Sequence, residues 1–191
     1  MKKILITGGS GLVGKHLTLK LIEKGYQVAW LSRNAADDGQ VKTFEWNIGK
    51  GYIDPKALDF ADAIVHLAGA GIADKPWSEK RKKEILDSRV KSTELIVNQL
   101  KEHKKLPNSV VAASAIGYYG ATNSNHVYIE TDPPANDFLG TTTRLWEKST
   151  QAFRDLGIPT VQLRLGVVLS KEGGAMEKMA LPVKYGLGAP L

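Results

Sequence analysis

The run Lys3-Ile4-Leu5-Ile6-Thr7-Gly8-Gly9-Ser10-Gly11-Leu12-Val13-Gly14 carries an apolar strand into a glycine turn, and an amphipathic helical pattern follows over 15–24. That order suits the diphosphate of a nucleotide. Gly8 permits a sharp turn at the strand end, Gly11 removes the side chain that would block the phosphates, and Gly14 lets the helix pack closely on the strand. The helix then presents free N–H groups and a positive dipole end to the anion, with Ser10, Leu12 and Val13 completing the turn. The spacing is Gly-x-x-Gly-x-x-Gly. A glycine triplet alone is a weak signal, and the flanking strand and helix strengthen it.

The second strand ends at Leu31-Ser32-Arg33. A dinucleotide site that prefers the 2′-hydroxyl places an acid about 20 residues beyond the glycine turn. Here Ser32 and Arg33 occupy that corner, and the nearest acids, Asp37 and Asp38, lie farther along the loop. A guanidinium offers a planar fork to a phosphate and keeps its charge. This predicts NADPH over NADH, set against an exposed surface arginine. The third strand ends at Trp46-Asn47-Ile48, where Asn47 is placed to bond an adenine edge and Trp46 reads as core. The fourth ends at His66-Leu67-Ala68-Gly69-Ala70, whose small residues let backbone approach the middle of a cofactor. His66 reads as a packing or capping residue, and no metal site is expected.

These residues need a scaffold that brings strand ends together. Apolar runs at 4–7, 28–32, 43–46, 63–67, 109–113 and 160–169 alternate with helical patterns at 16–24, 78–103 and 141–156. Alternation of this kind predicts an α/β fold with a doubly wound parallel sheet, strand order 3-2-1-4-5-6, and the ligand at the carboxyl ends of the strands. In the long helix Leu86, Val90, Thr93, Val97 and Leu100 form the expected buried stripe, with Ser78 as N-cap.

Composition narrows the class. The 191 residues suffice for one full domain, 42% hydrophobic and 24% charged residues fit a globular protein, and the absence of cysteine excludes disulfides and thiolate metal sites. The expected location is cytoplasmic. No run reaches the length of a membrane span, and the apolar start breaks at Gly8-Gly9, too early for a secretion signal. The net charge of +6 comes with lysine clusters at 80–83 and 101–105, read as solvated helix faces; a basic RNA- or DNA-contacting protein is the weaker alternative. The glycine-rich end at 186–191 reads as unfinished. The expected division is a dinucleotide-binding domain over 1–170 and the start of a truncated substrate lobe over 171–191.

The segments Thr7-Gly8-Gly9-Ser10-Gly11-Leu12-Val13-Gly14, Leu31-Ser32-Arg33, His66-Leu67-Ala68-Gly69-Ala70 and Ser114-Ala115-Ile116-Gly117-Tyr118-Tyr119-Gly120 follow one another as they do in extended short-chain dehydrogenases/reductases. Together with Trp77, Lys83-Glu84, Ser88-Arg89-Val90-Lys91-Ser92-Thr93, Trp146-Glu147 and Arg164-Leu165-Gly166-Val167-Val168-Leu169, they resemble the atypical branch labelled epimerase family, or NAD-dependent epimerase/dehydratase-like. The resemblance covers nearly the whole chain. It implies a Rossmann fold and a C-terminal substrate lobe that is largely missing here. It also implies NADP contacts at the glycine turn, Ser32, Arg33, Leu67, Ala68, Glu84, Arg89 and Val168, with Arg89 toward phosphate, Glu84 toward a ribose, and Val168 at the nicotinamide end of the sixth strand. Homodimerisation through two long helices is the partner expectation.

Most such enzymes move a proton with a Tyr-x-x-x-Lys pair on one helix face. The corresponding helix holds Phe138 and Thr142 or Thr143 instead, and the lone Tyr52-x-x-x-Lys56 is interrupted by Pro55. Near the fifth strand end remain Ser114, able to polarise a carbonyl or hydroxyl, and Tyr118 or Tyr119, able to supply a phenol unless they serve as packing. Arg144 and Lys148 are expected to pair with Glu147 on an exposed helix. The function read from these residues is an NADP-dependent oxidoreductase or epimerase (an isomerase by net reaction) acting on a small hydroxyl- or carbonyl-bearing substrate such as a nucleotide sugar. The alternative is an NADPH-binding sensor or scaffold without catalysis.

Overall fold

The apolar runs assemble into one sheet because each can be buried only by neighbours on both sides and helices on both faces. The computed structural model describes residues 2–34, 41–121, 125–176, 180, 185 and 186. Its elements run β1 (Lys3–Thr7), α1 (Leu12–Glu23), β2 (Gln27–Ser32), β3 (Lys42–Asn47), β4 (Tyr52–Ile53), α2 (Pro55–Phe60), β5 (Ala63–His66), α3 (Glu79–Glu102), β6 (Ser109–Ala115), α4 (Phe138–Asp155), β7 (Thr160–Leu165), β8 (Leu169–Ser170) and β9 (Gly173–Gly174). The sheet order is β4-β3-β2-β1-β5-β6-β7. Six strands are parallel in the expected order, and β4 adds a short antiparallel edge on β3. The fold is a doubly wound α/β sheet of Rossmann type.

β1 lies at the centre, and Leu5 and Ile6 are fully buried on its opposite faces. On one face Leu5, Leu31, Phe44 and Ile64 pack with Leu58 of α2, Ile96 and Leu100 of α3, and Phe153 of α4. On the other, Ile4, Ile6 and Val28 meet Leu17 and Leu21 of α1. The two helices that carry site residues are capped by their own sequence. Ser78 Oγ accepts from the Arg81 N–H, and Asp137 Oδ1 accepts from the Gly140 N–H, satisfying amides that lack a helical partner.

Three expectations about elements change. The first helix starts at Leu12 rather than His16, because Gly11 adopts an extended N-cap conformation directly after the turn. The sixth expected strand ends at Leu165, not at 169. Its partner β6 turns away after Ala115, so the ladder stops at the Ala115–Leu165 pair, and Leu169 pairs instead with Gly174 in a small hairpin. In α3 the amino-terminal half buries Arg81, Ile85 and Arg89, while Leu86 and Val90 are half-buried. The acids Asp37 and Asp38 and most of the glycine-rich end lie outside the described residues.

Candidate functional site: the cleft over the glycine turn

The glycine turn works through close backbone contacts. Gly8 has φ +70°, and a methyl there would sit 2.9 Å from the Leu67 carbonyl carbon. A methyl on Gly14 would lie 2.7 Å from the Gly9 Cα. The turn is closed by the Gly11 N–H donating to the Gly8 carbonyl at 3.1 Å. Gly11 carries no side chain over the mouth, and the first-turn amides of α1 follow it.

A cavity of about 920 Å³ opens above this turn. Gly8, Ser10 and Gly11 form one wall, and Leu67, Ala68, Gly69 and Ala70 the next. Ser32, Arg33 and Asn34 close one end, beside Trp46 and Ile48. The remaining wall is α3: Lys80, Lys83, Glu84, Asp87, Ser88 and Lys91. Those six fall at helical spacing of three and four, so one polar stripe faces the cavity. Lys80 and Lys83 are exposed, as a solvated helix face requires, and the face they occupy borders the cleft. Lys80 and Lys83 are cleft residues, and Arg81 is buried. Among the described residues Arg33 has no carboxylate within ion-pair reach, and Ser32 Oγ accepts from the Asn34 N–H at 3.2 Å.

Beneath the cleft, His66 is fully buried. Thr7 Oγ1 accepts from the Leu67 and Ala68 N–H groups at 3.2 Å each, so its own proton goes to His66 Nδ1 at 2.7 Å. The ring is therefore the neutral Nε2–H form, donating to Thr93 Oγ1 at 3.1 Å. Burial lowers its pKa to about 4. The packing role expected for His66 is what this geometry provides, and it fixes the backbone of the cleft wall.

Several expected contacts fall elsewhere. Asn47 does not line the cavity. Its Oδ1 accepts from the Lys50 N–H at 3.0 Å and caps a short 3-10 turn, which leaves Ile48 on the wall. Arg89 is 7% exposed and faces inward. It donates to the Ala70 and Ile85 carbonyls, stacks 5.1 Å from the Trp146 ring centroid, and braces Gly69 from behind. Desolvation, then the nearby Arg81 charge, lower its pKa to about 10. The side chains of Leu12 and Val13 line a second, apolar depression of about 440 Å³ together with His16, Val168 and Leu169. Val168 lies beyond β7, in the link to the hairpin.

The residues expected to do chemistry form a separate cluster. Ser114 is 2% exposed, and its hydroxyl donates to Glu147 Oε1 at 2.6 Å. Arg164 grips the same carboxylate with two hydrogen bonds, at 2.8 and 2.9 Å. Its Nη1 donates to the Tyr119 hydroxyl at 2.6 Å and to the Glu130 carbonyl at 3.2 Å. The guanidinium lies 3.6 Å from the Tyr118 ring centroid. Desolvation raises the Glu147 pKa, but the Arg164 and Ser114 hydrogen bonds outweigh it and hold the carboxyl below its ordinary value. Glu147 thus pairs with Arg164 and Ser114, not with Arg144 and Lys148. The Ser114 hydroxyl is directed at Glu147, which ties the end of β6 to α4. Neither Ser114 nor Tyr118 lines the large cavity. The Tyr52 and Lys56 pair lies at the far sheet edge, on β4 and α2.

Among the described residues no helix is long and apolar enough to cross a membrane, and no group of three or more acids and histidines is placed to hold a metal.

The chain is similar to several known proteins. An epimerase family protein of Bacillus subtilis, YfhF, is 36% identical over 98% of this chain and 62% of its own length. A second, from Staphylococcus aureus, is 34% identical over all of this chain and 63% of its own. The chain therefore spans less than two thirds of the curated relatives it matches. Human epimerase family protein SDR39U1, solved with NADPH, superposes with a TM-score of 0.79 at 30% identity, covering 98% of this chain and 61% of that one. A nucleoside-diphosphate sugar epimerase from Corynebacterium glutamicum gives the same TM-score and identity over all of this chain and 39% of its own. Residues 4–183 match the family described as NAD dependent epimerase/dehydratase, and with the glycine turn, sheet order and cleft already in place, the chain belongs to that family.

Proposed function

We propose that the chain forms the NADPH-binding part of an oxidoreductase or epimerase acting on a small hydroxyl- or carbonyl-bearing substrate such as a nucleotide sugar. The observation that carries this reading is the cleft itself. A glycine turn and helix amino terminus stand at its base, with Arg33, Lys80, Lys83 and Lys91 on its walls. Even with Asp87 paired to Lys83 and Lys91, cations outnumber the acids Glu84 and Asp87 on the walls, and such a cleft ending in free helix amides fits a ligand with several phosphates. Gly8, Gly11 and Gly69 line the cleft without side chains, which fits close backbone approach to a dinucleotide. The solved NADPH complex of a 30%-identical protein supports the choice of cofactor, and the name of the Corynebacterium relative supports the substrate class.

In this reading the turn amides hold the diphosphate, Arg33 holds the 2′-phosphate, and Glu84 accepts from a ribose hydroxyl. Trp46 and Ile48 give the adenine an apolar side. When bound, the nicotinamide supplies hydride transfer. Tyr118 follows β6 in the chain, and Arg164 stacks on its ring and bonds the Tyr119 hydroxyl.

A second reading, an NADPH sensor or scaffold without catalysis, draws on one observation. Phe138 and Thr142 or Thr143 of α4 occupy the positions where a tyrosine and a lysine would form the proton-handling pair.

Side-by-side titration with NADPH and NADH, followed by nicotinamide fluorescence, tests the cofactor assignment. Tight NADPH binding with weak NADH binding is expected, and equal or absent binding overturns it. Cofactor turnover with candidate substrates separates catalyst from sensor.

A further inference from the structure

Arg81 is buried, yet its guanidinium serves both the cleft and a segment outside it. Nη1 pairs with Glu84, a cleft-wall residue, at 2.7 Å. Nη2 donates to the Gly71 carbonyl and lies 3.6 Å from the Asp74 carboxylate. Nε is buried with no partner. Both carboxylates are more than half exposed, while the arginine side chain is only 7% exposed. Asp74 is not a cleft residue. It belongs to the 71–77 segment, which the Trp77 indole N–H closes on the Ile72 carbonyl at 2.8 Å. The Trp77 ring then packs edge-on against Phe138, at the start of α4 and 5.1 Å away. The segment therefore reaches from the cleft wall of α3 to the helix beside β6.

A buried guanidinium needs counter-charge, and here two carboxylates share one fork. Whatever draws one away leaves more of the fork to the other. We propose that Arg81 is a positioning residue that links occupancy of the cleft at Glu84 to the hold on the 71–77 segment at Asp74. The inference rests on the reading that the cleft binds NADPH. A ligand hydroxyl taken up by Glu84 loosens the Glu84–Arg81 pair, and Arg81 then grips Asp74 more fully. Filling the cleft tightens the segment that leads to α4.

Coupling of this kind is reciprocal, so Asp74 must act on cofactor affinity without touching cofactor. Removing Asp74 leaves Glu84 as the lone carboxylate for Arg81, and the ligand must then compete for it. Asp74→Asn is expected to weaken NADPH binding roughly fivefold or more. Plain charge addition predicts the opposite sign, since losing an acid near a cationic cleft should tighten binding of an anion. The test is a double-mutant cycle read as NADPH dissociation constants for the wild type, Asp74→Asn, Arg81→Lys and the double variant. Arg81→Lys keeps the charge but loses the fork, and melting curves check that each variant folds. Weaker binding by Asp74→Asn that disappears in the Arg81→Lys background supports the link. Unchanged or tighter binding by Asp74→Asn, or an equal effect in both backgrounds, overturns it while leaving the cofactor reading intact. A wild type that binds no NADPH overturns both.

Discussion

The Thr7 hydroxyl donates to His66 Nδ1 across 2.7 Å, joining the end of β1 to the end of β5 beneath the cleft. The bond requires a neutral imidazole. In the folded protein burial lowers the His66 pKa to about 4, against 6.5 unfolded. Between those values the unfolded chain binds the extra proton, so stability falls as pH drops from about 6.5 toward 4 and is unaffected above. A shift of that size corresponds to about 3 kcal/mol. Urea unfolding at steps from pH 7.5 to 4.5 should show this slope, and His66→Asn should flatten it. A wild-type profile that is level across the window contradicts the neutral-ring assignment.

In the proposed reading, cofactor choice turns on Arg33. A charge-assisted contact of about 1.5–3 kcal/mol gives a preference for NADPH over NADH of about ten- to hundredfold. Arg33→Asp should remove most of it, chiefly by weakening NADPH. Dissociation constants for both nucleotides measure this, and an unchanged ratio would remove Arg33 from the site.

Breaking the Glu147 network should cost stability rather than cofactor affinity. Arg164 and Ser114 both bond to Glu147, whose side chain is 12% exposed. Glu147→Gln leaves Arg164 without its carboxylate, a loss of about 2 kcal/mol for a pair that is partly open to water. Ser114→Ala removes one bond, about 1 kcal/mol. Denaturant midpoints report both effects. Weaker NADPH binding by Ser114→Ala would contradict this separation of the two clusters.

Gly14→Ala forces a methyl against the Gly9 backbone, which has no room to yield. Overpacking of this kind costs about 1–3 kcal/mol and displaces the turn. NADPH affinity should fall together with the melting temperature, while Gly25→Ala, whose methyl meets nothing within 4 Å, serves as the strained but unpacked control.

Strand order was legible in the alternation of strand and helix patterns, and the Ser78 cap in its own local sequence. The six apolar runs set the sheet order, and Ser78 shows its capping role in its position before a helical pattern. The polar stripe of Lys80, Lys83, Glu84, Asp87, Ser88 and Lys91 was equally available from spacing, but only the sheet, by placing the helix, shows that this face borders the cleft. Other features depend on residues far apart in sequence. Glu147 finds Arg164 only after α4 folds back beside β7, and Thr7 meets His66 across 59 residues. The Asn47 cap on the Lys50 amide is local, and only the folded chain shows that Ile48 rather than Asn47 borders the cavity.

Gly9 lies between the glycines whose spacing draws the eye, and its constraint comes from outside the motif. A methyl there would run into the Trp30 indole, whose N–H donates to Thr18 of α1 at 2.9 Å. Positions 9 and 30 therefore form a single unit of permitted sequence change. Residue 9 can grow only where residue 30 has first become small, so a replacement at one is tolerated in an order set by the other.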